Sequence, residues 1–258
     1  MKHSRLLCVV VSLMMTVMMS SVGFANSATK DVQKTIVLVH GAFADGSSWS
    51  AVIPLLQQKG YKVVAVQNPL TSLANDTDTV KRALDNQTGP VVLVGHSWGG
   101  MVITNSGDHD KVKALVYVAA FAPDVGESAA AMSAKYPVTP GFSKLVADAK
   151  GYFTLPEDAM KDDFAQDLPE VVTKVMTATQ GPTFGGCFAD TPTVAPWKTK
   201  PSWYIVAEND RMIQPDMERD MAKKINAKVT SLATSHVPML SKPVDIANVI
   251  IEAADSIQ

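Results

Sequence analysis

The stretch Val91-Val92-Leu93-Val94-Gly95-His96-Ser97-Trp98-Gly99-Gly100 runs from an unbroken apolar tetrad straight into a serine set between glycines. Four valine and leucine residues without alternation read as a strand buried on both faces. Residues 99–105 read as the helix that follows. Gly-x-Ser-x-Gly between a strand and a helix is the setting of a nucleophile elbow, a turn so tight that flanking side chains would collide. Gly95, Gly99 and Gly100 relieve that crowding. Such a turn projects Ser97 above the carboxyl ends of the strands, where open parallel sheets place their ligands. It also leaves Ser97 next to the free N–H groups of a helix start, which suit a developing oxyanion.

The flanking sequence alternates short β-rich runs with amphipathic stretches, the pattern of a mostly parallel sheet covered by helices. Strands are expected at 36–39, 62–66 and 114–118, and helices at 49–58, ended by Gly60, and at 77–85. The rhythm stops over about 123–197, where Pro, Gly, Ala and acidic residues are frequent and helical fragments fit 157–164 and 169–177. This reads as an inserted, mainly helical cap. The alternation resumes with a strand at 203–206, a helix at 217–225, a strand at 228–232 and a closing helix at 243–254.

The N-terminus has a different character. Lys2 and Arg5 precede an apolar run from Leu6 to Met19, and Gly23-Phe24-Ala25 has the small-x-small form of a signal-peptidase site. Residues 1–25 are therefore expected to be a signal peptide cleaved after Ala25, with the protein exported to the periplasm or secreted. The apolar run is shorter than the ~20 residues of a membrane span, so no stable anchor is expected. Residues 26–258 then form one domain with its cap. The chain carries a net charge of −2 and loses two cations with the leader, so it has no footprint for nucleic acid. Cys187 is the only cysteine left, which rules out an internal disulfide, and no zinc-type Cys/His cluster is present, so no structural metal is expected.

A serine needs a base. Four histidines follow the leader: His40, His96, His109 and His236. His96 adjoins Ser97, where neighbouring side chains diverge, and His109 sits among Asp108, Asp110 and Lys111 as a surface loop would. His236 lies between the last expected strand and the last helix, where the order serine, acid, histidine puts the base. The acid that orients it is expected at Asp210, after the strand at 203–206. Glu208 and Asp124, each also after a strand, are its rivals. Two backbone N–H groups should hold the oxyanion: Trp98, next to the nucleophile, and Ala42, in the loop His40-Gly41-Ala42. His40 then shapes that loop. Trp98 is also a candidate wall of the substrate pocket, or else a packed aromatic beneath the cap.

Taken together, His40-Gly41-Ala42…Trp49, the elbow, Asn209-Asp210-Arg211-Met212-Ile213-Gln214-Pro215 and Ser235-His236-Val237-Pro238-Met239-Leu240 resemble one branch of the α/β-hydrolase superfamily. That branch contains plant methylesterases, hydroxynitrile lyases and bacterial pyrethroid-hydrolase-like esterases. The resemblance implies the α/β-hydrolase fold, a Ser97–His236–Asp210 triad, no cofactor, and small apolar carboxylic esters as substrates. Lyases of this branch carry a threonine where Gly41 stands and a lysine where Val237 stands, so their absence favours ester hydrolysis. Trp98 departs from the smaller residue often found after the nucleophile. Cap aromatics Tyr136, Phe142, Tyr152, Phe153, Phe164, Phe184 and Phe188 are available for an apolar wall. The leading expectation is a serine carboxylesterase. Hydroxynitrile lyase or perhydrolase chemistry at the same triad is the alternative, and a non-enzymatic small-molecule receptor a remote one.

Overall fold

Two runs that are apolar but for Thr35 and the Gly95-His96 end, Thr35–Val39 (β1) and Val91–His96 (β3), are completely buried and lie side by side, with Val39 in register with Gly95. A computed structural model describes residues 33–257; the expected leader falls outside them. From β1 the chain passes through α1 (Ile53–Gln58) to β2 (Lys62–Val66), which pairs with the far edge of β1. It then crosses back through α2 (Leu73–Asp85) to β3 on the other side. This reversal makes the ends of β1 and β3 the switch point of the sheet, where a crevice opens between the loops leaving them. From β3 the order continues outward through α3 (Gly99–Ser106) and β4 (Val112–Val118). After the cap come β8 (Ser202–Ala207), α7 (Pro215–Lys224) and β9 (Lys228–Leu232), and the sheet order is β2-β1-β3-β4-β8-β9, parallel throughout. A short helix α8 (Pro238–Ser241) leads into α9 (Pro243–Asp255), which buries Ile246, Val249 and Ile250.

Local chemistry moves several boundaries from their sequence-based positions. Helix α2 begins four residues early because the Ser72 side chain accepts from the Asn75 N–H and caps it. The helix expected over 49–58 is two pieces. Asp45 accepts from the Ser47 N–H at 2.6 Å and opens a 3₁₀ turn over Gly46–Trp49. Then α1 starts separately, with Pro54 in its first turn, where a missing N–H costs nothing.

Between β4 and β8 the chain forms α4 (Ala129–Ser133), α5 (Glu157–Ala159) running directly into a π turn over Met160–Phe164, and α6 (Glu170–Thr179). Three 3₁₀ turns accompany them, at Phe142–Lys144, Gly185–Ala189 and Pro196–Lys198. Helical pieces thus outweigh strand in the cap. It also holds a small antiparallel sheet of β5 (Val146–Ala147), β6 (Tyr152–Thr154) and β7 (Thr183–Phe184) that the sequence reading did not foresee.

Candidate active site

Ser97 sits where β3 turns into α3, with φ at 51°, a left-handed backbone that a side-chain-bearing residue adopts only under constraint. The constraint is visible in the hydrogen bonds. The Ser97 N–H donates to the Val118 carbonyl, and the Ser97 carbonyl accepts from the Gly100 and Phe121 N–H groups. The glycines are required by close approach: a Cβ on Gly95 would lie 2.5 Å from the Gly99 oxygen, and one on Gly100 would lie 2.0 Å from that of Phe121. The neighbouring loop is equally tight, since a Cβ on Gly41 would come within 2.7 Å of Ser97 Cβ. Gly41 therefore brings the following Ala42 against the elbow. Among the described residues neither the Ala42 nor the Trp98 N–H donates to a protein acceptor, which leaves both available.

His40 is a strut. Its Nδ1–H donates to the Gly41 carbonyl at 2.8 Å, and its Nε2 accepts from the Asn68 N–H at 2.9 Å. Burial pushes its pKa below the ordinary value, in keeping with a neutral ring.

His236, in the loop between β9 and α8, is buried and donates from Nδ1 to Asp210 Oδ2 at 2.5 Å. Asp210, just after β8, is itself held by backbone: its Oδ1 accepts from Met212 at 2.6 Å and Ile213 at 2.9 Å. Its rivals lie elsewhere. Glu208 is ion-paired with Arg219 on the rim, and Asp124 with Lys198 at 2.6 Å on the surface. His109 pairs with Asp85 at 3.1 Å, well placed for a partly exposed loop. His236 Nε2 has no hydrogen-bond partner among the described residues, and His236 and Ser97 line the same cavity.

Two supports of His236 were not legible in the sequence. His96, fully buried, donates from Nε2 to the His236 carbonyl at 2.7 Å, and its ring centroid lies 4.8 Å from that of His236. Burial, reinforced by the neighbouring imidazole, holds His96 well below the usual histidine range. From the cap, Asp167 accepts the Ser235 N–H and the Ser241 hydroxyl, each at 2.9 Å, and fixes the loop around His236.

The cavity has a volume of about 320 Å³ and is largely apolar. The cap supplies Tyr136, Phe142, Phe164 and Phe188 to it, while Tyr152 and Phe184 instead pack on each other in the small sheet, 5.3 Å apart. Trp98 both packs and walls. Its ring is buried edge-on to Phe188 at 6.0 Å, and it lines the cavity. Its Nε1–H donates to Asp76 Oδ2 at 2.8 Å, and Asp76 also accepts from the Leu70 N–H at 2.8 Å. The Leu70 carbonyl in turn accepts from the Phe184 N–H of the cap, and the Leu73 N–H donates to Asp190. Burial outweighs these donors and lifts the Asp76 carboxyl to about 6. Among the described residues no cluster of three or more His, Cys, Asp and Glu is arranged to hold a metal, and no helix is long and apolar enough to cross a membrane.

Comparison with known proteins agrees with this architecture. A pyrethroid hydrolase of Sphingobium wenxiniae is 30% identical over 86% of this chain and 88% of its own. Methylesterase 7 of Arabidopsis thaliana is 28% identical over 88% and 98%. The crystal structure of a pyrethroid hydrolase superposes with a TM-score of 0.77 at 26% identity, covering 87% of this chain and 98% of the other. The sequence model of the alpha/beta hydrolase family matches residues 36–249. With a parallel sheet of this order beneath a serine elbow, and with that match spanning most of its length, the chain belongs to the alpha/beta hydrolase family and is an enzyme of hydrolase type.

Proposed function

We propose that the protein is a serine carboxylesterase that cleaves small apolar carboxylic esters through an acyl–Ser97 intermediate. The observation that carries this reading is the buried His236–Asp210 pair, whose histidine lines the same apolar cavity as Ser97. Donation of Nδ1–H to Asp210 selects the tautomer that leaves a lone pair on Nε2. That nitrogen takes the Ser97 proton as Oγ attacks the ester carbonyl. Charge gathering on the carbonyl oxygen is received by the Ala42 and Trp98 N–H groups. The imidazolium, stabilised by Asp210, then hands its proton to the departing alkoxide. Water, deprotonated by the same histidine, attacks the acyl group and frees Ser97. Ester, water and these side chains supply every proton and electron pair, so the reaction calls for no cofactor.

The apolar lining suits an ester without charge near the carbonyl, and 320 Å³ suits a small one. The names of the pyrethroid hydrolase and the methylesterase point the same way. Cyanohydrin cleavage and perhydrolase chemistry use the same three residues, but the threonine of the lyase pattern has no room at Gly41, and Val237 is buried and apolar. Short-chain p-nitrophenyl esters test the proposal. Turnover that disappears in Ser97→Ala, with organophosphate labelling of Ser97, supports it; undiminished turnover in that variant sinks it. Cyanide release from mandelonitrile with negligible ester turnover puts the lyase reading first.

A further inference from the structure

Glu218 lies on the buried face of α7, beside Met217, Met221 and Ala222, and has no exposed surface. A charged residue is rarely enclosed in this way unless it is paired. Its Oε2 accepts from the Ala207 N–H at 2.9 Å. Its Oε1 is also buried and meets no donor among the described residues. What faces it is a second carboxyl, Asp210, whose oxygens accept from Met212, Ile213 and His236 and keep one further acceptor site on Oδ2.

Among the described residues no lysine or arginine is paired with either carboxyl, and the one basic group on the pair is His236, bonded to Asp210. Arg219, next along the helix, turns outward to Glu208 and Asp216. The Tyr204 hydroxyl is committed to the Ala120 carbonyl. The titratable groups around Glu218 are therefore Asp210, Glu208 and Tyr204, with His236 on the far side of Asp210. Two carboxyl groups enclosed together cannot both ionise, so one must hold a proton. Asp210 receives three hydrogen bonds and behaves as the acceptor. Glu218 has the oxygen without a donor. Burial and the adjacent Asp210 also drive the Glu218 pKa well above the carboxylate range.

We infer that Glu218 remains protonated at neutral pH and donates its Oε1–H to Asp210, making it a positioning residue that fixes the acid behind His236. This rests on the esterase reading of Ser97, His236 and Asp210. The extra donor spreads the negative charge of Asp210 without neutralising it, and it holds the carboxyl in the plane that His236 needs. Glu218→Gln preserves both contacts, an amide N–H toward Asp210 and an oxygen for Ala207. Glu218→Met removes both.

Two measurements on the full chain test this. The first needs no turnover: the infrared difference between wild type and Glu218→Gln at pH 7 should contain the D₂O-sensitive carbonyl stretch of a buried carboxylic acid. Its absence overturns the inference, and its presence in a protein that hydrolyses no ester keeps the proton on Glu218 while the esterase reading fails. The second is kinetic. Glu218→Met should lose roughly tenfold or more in kcat with little change in KM. Glu218→Gln should recover most of that loss with the acidic limb of the pH profile unmoved. A limb that shifts downward in Glu218→Gln means that an ionised Glu218 has been removed from beside the histidine, and it overturns the inference.

Discussion

Replacing Asp210 with asparagine changes one oxygen into an NH₂ group and little else. Apart from the Glu218 donor inferred above, the carboxyl accepts three hydrogen bonds: Met212 at 2.6 Å and Ile213 at 2.9 Å on Oδ1, and His236 Nδ1 at 2.5 Å on Oδ2. Asparagine has one oxygen and must choose. Turned toward the two backbone N–H groups it keeps two bonds. Turned toward His236 it keeps one and leaves two buried donors facing an NH₂ group. Each stranded donor costs about 1–3 kcal/mol, so the second orientation, which strands two, is disfavoured by roughly 2–6 kcal/mol. In it the amide donates to His236 Nδ1, which forces the ring proton onto Nε2, and the histidine can no longer accept the proton of Ser97. The expected loss in kcat/KM is about 10⁴-fold, or ~5.5 kcal/mol, with KM little changed. Even if the minor orientation were fully competent, its population of about one in ten or less sets a floor of roughly tenfold. The assay is p-nitrophenyl acetate hydrolysis at pH 8, with circular dichroism and Tm to establish that the variant is folded. A folded Asp210→Asn protein losing less than tenfold would refute the tautomer argument.

Asp76→Asn should lower stability by about 1–3 kcal/mol, because one of the Trp98 and Leu70 donors meets an NH₂ group. The Asp76 pKa is raised from 3.8 to about 6, so its favourable contribution is complete below the lower value and fades as pH rises through the higher. The Tm gap between wild type and Asp76→Asn should therefore narrow from pH 4 to 6, and a constant gap contradicts the raised carboxyl. For the leader, we propose export with cleavage after Ala25, so N-terminal sequencing of the protein recovered from a bacterial periplasm or culture medium should begin at Asn26. An intact Met1 in that fraction would argue against it.

The fold was readable where one physical signal dominates. Strands β1 and β3 are covered on both faces, so each carries an unbroken apolar tetrad, 36–39 and 91–94, and could be assigned without neighbours. That Ser97, Asp210 and His236 lie at the carboxyl end of one parallel sheet was readable through chain order, since each follows a recognisable strand. The cap strands were not readable, because two or three residues are too few to show a period, and β7 joins β6 across the intervening helices. His96, Asp167 and Glu218 escaped for a different reason. Each owes its role to a partner distant in sequence or on another element: His96 bonds a carbonyl 140 residues away, and Asp167 a loop 68 residues away. Composition near a buried polar group says nothing about who satisfies it.

The bond from Trp98 to Asp76 has a consequence for how such an enzyme changes its substrates. Trp98, whose N–H is proposed to receive the oxyanion, is bolted by its indole to α2, and the same Asp76 holds Leu70, to which the cap strand β7 is tied. Cap and proposed oxyanion donor share one frame. Exchanging the cap for that of a relative would not graft specificity onto an indifferent catalytic base; it would retune turnover at the same time, and drift in the cap is coupled to the geometry of the chemical step.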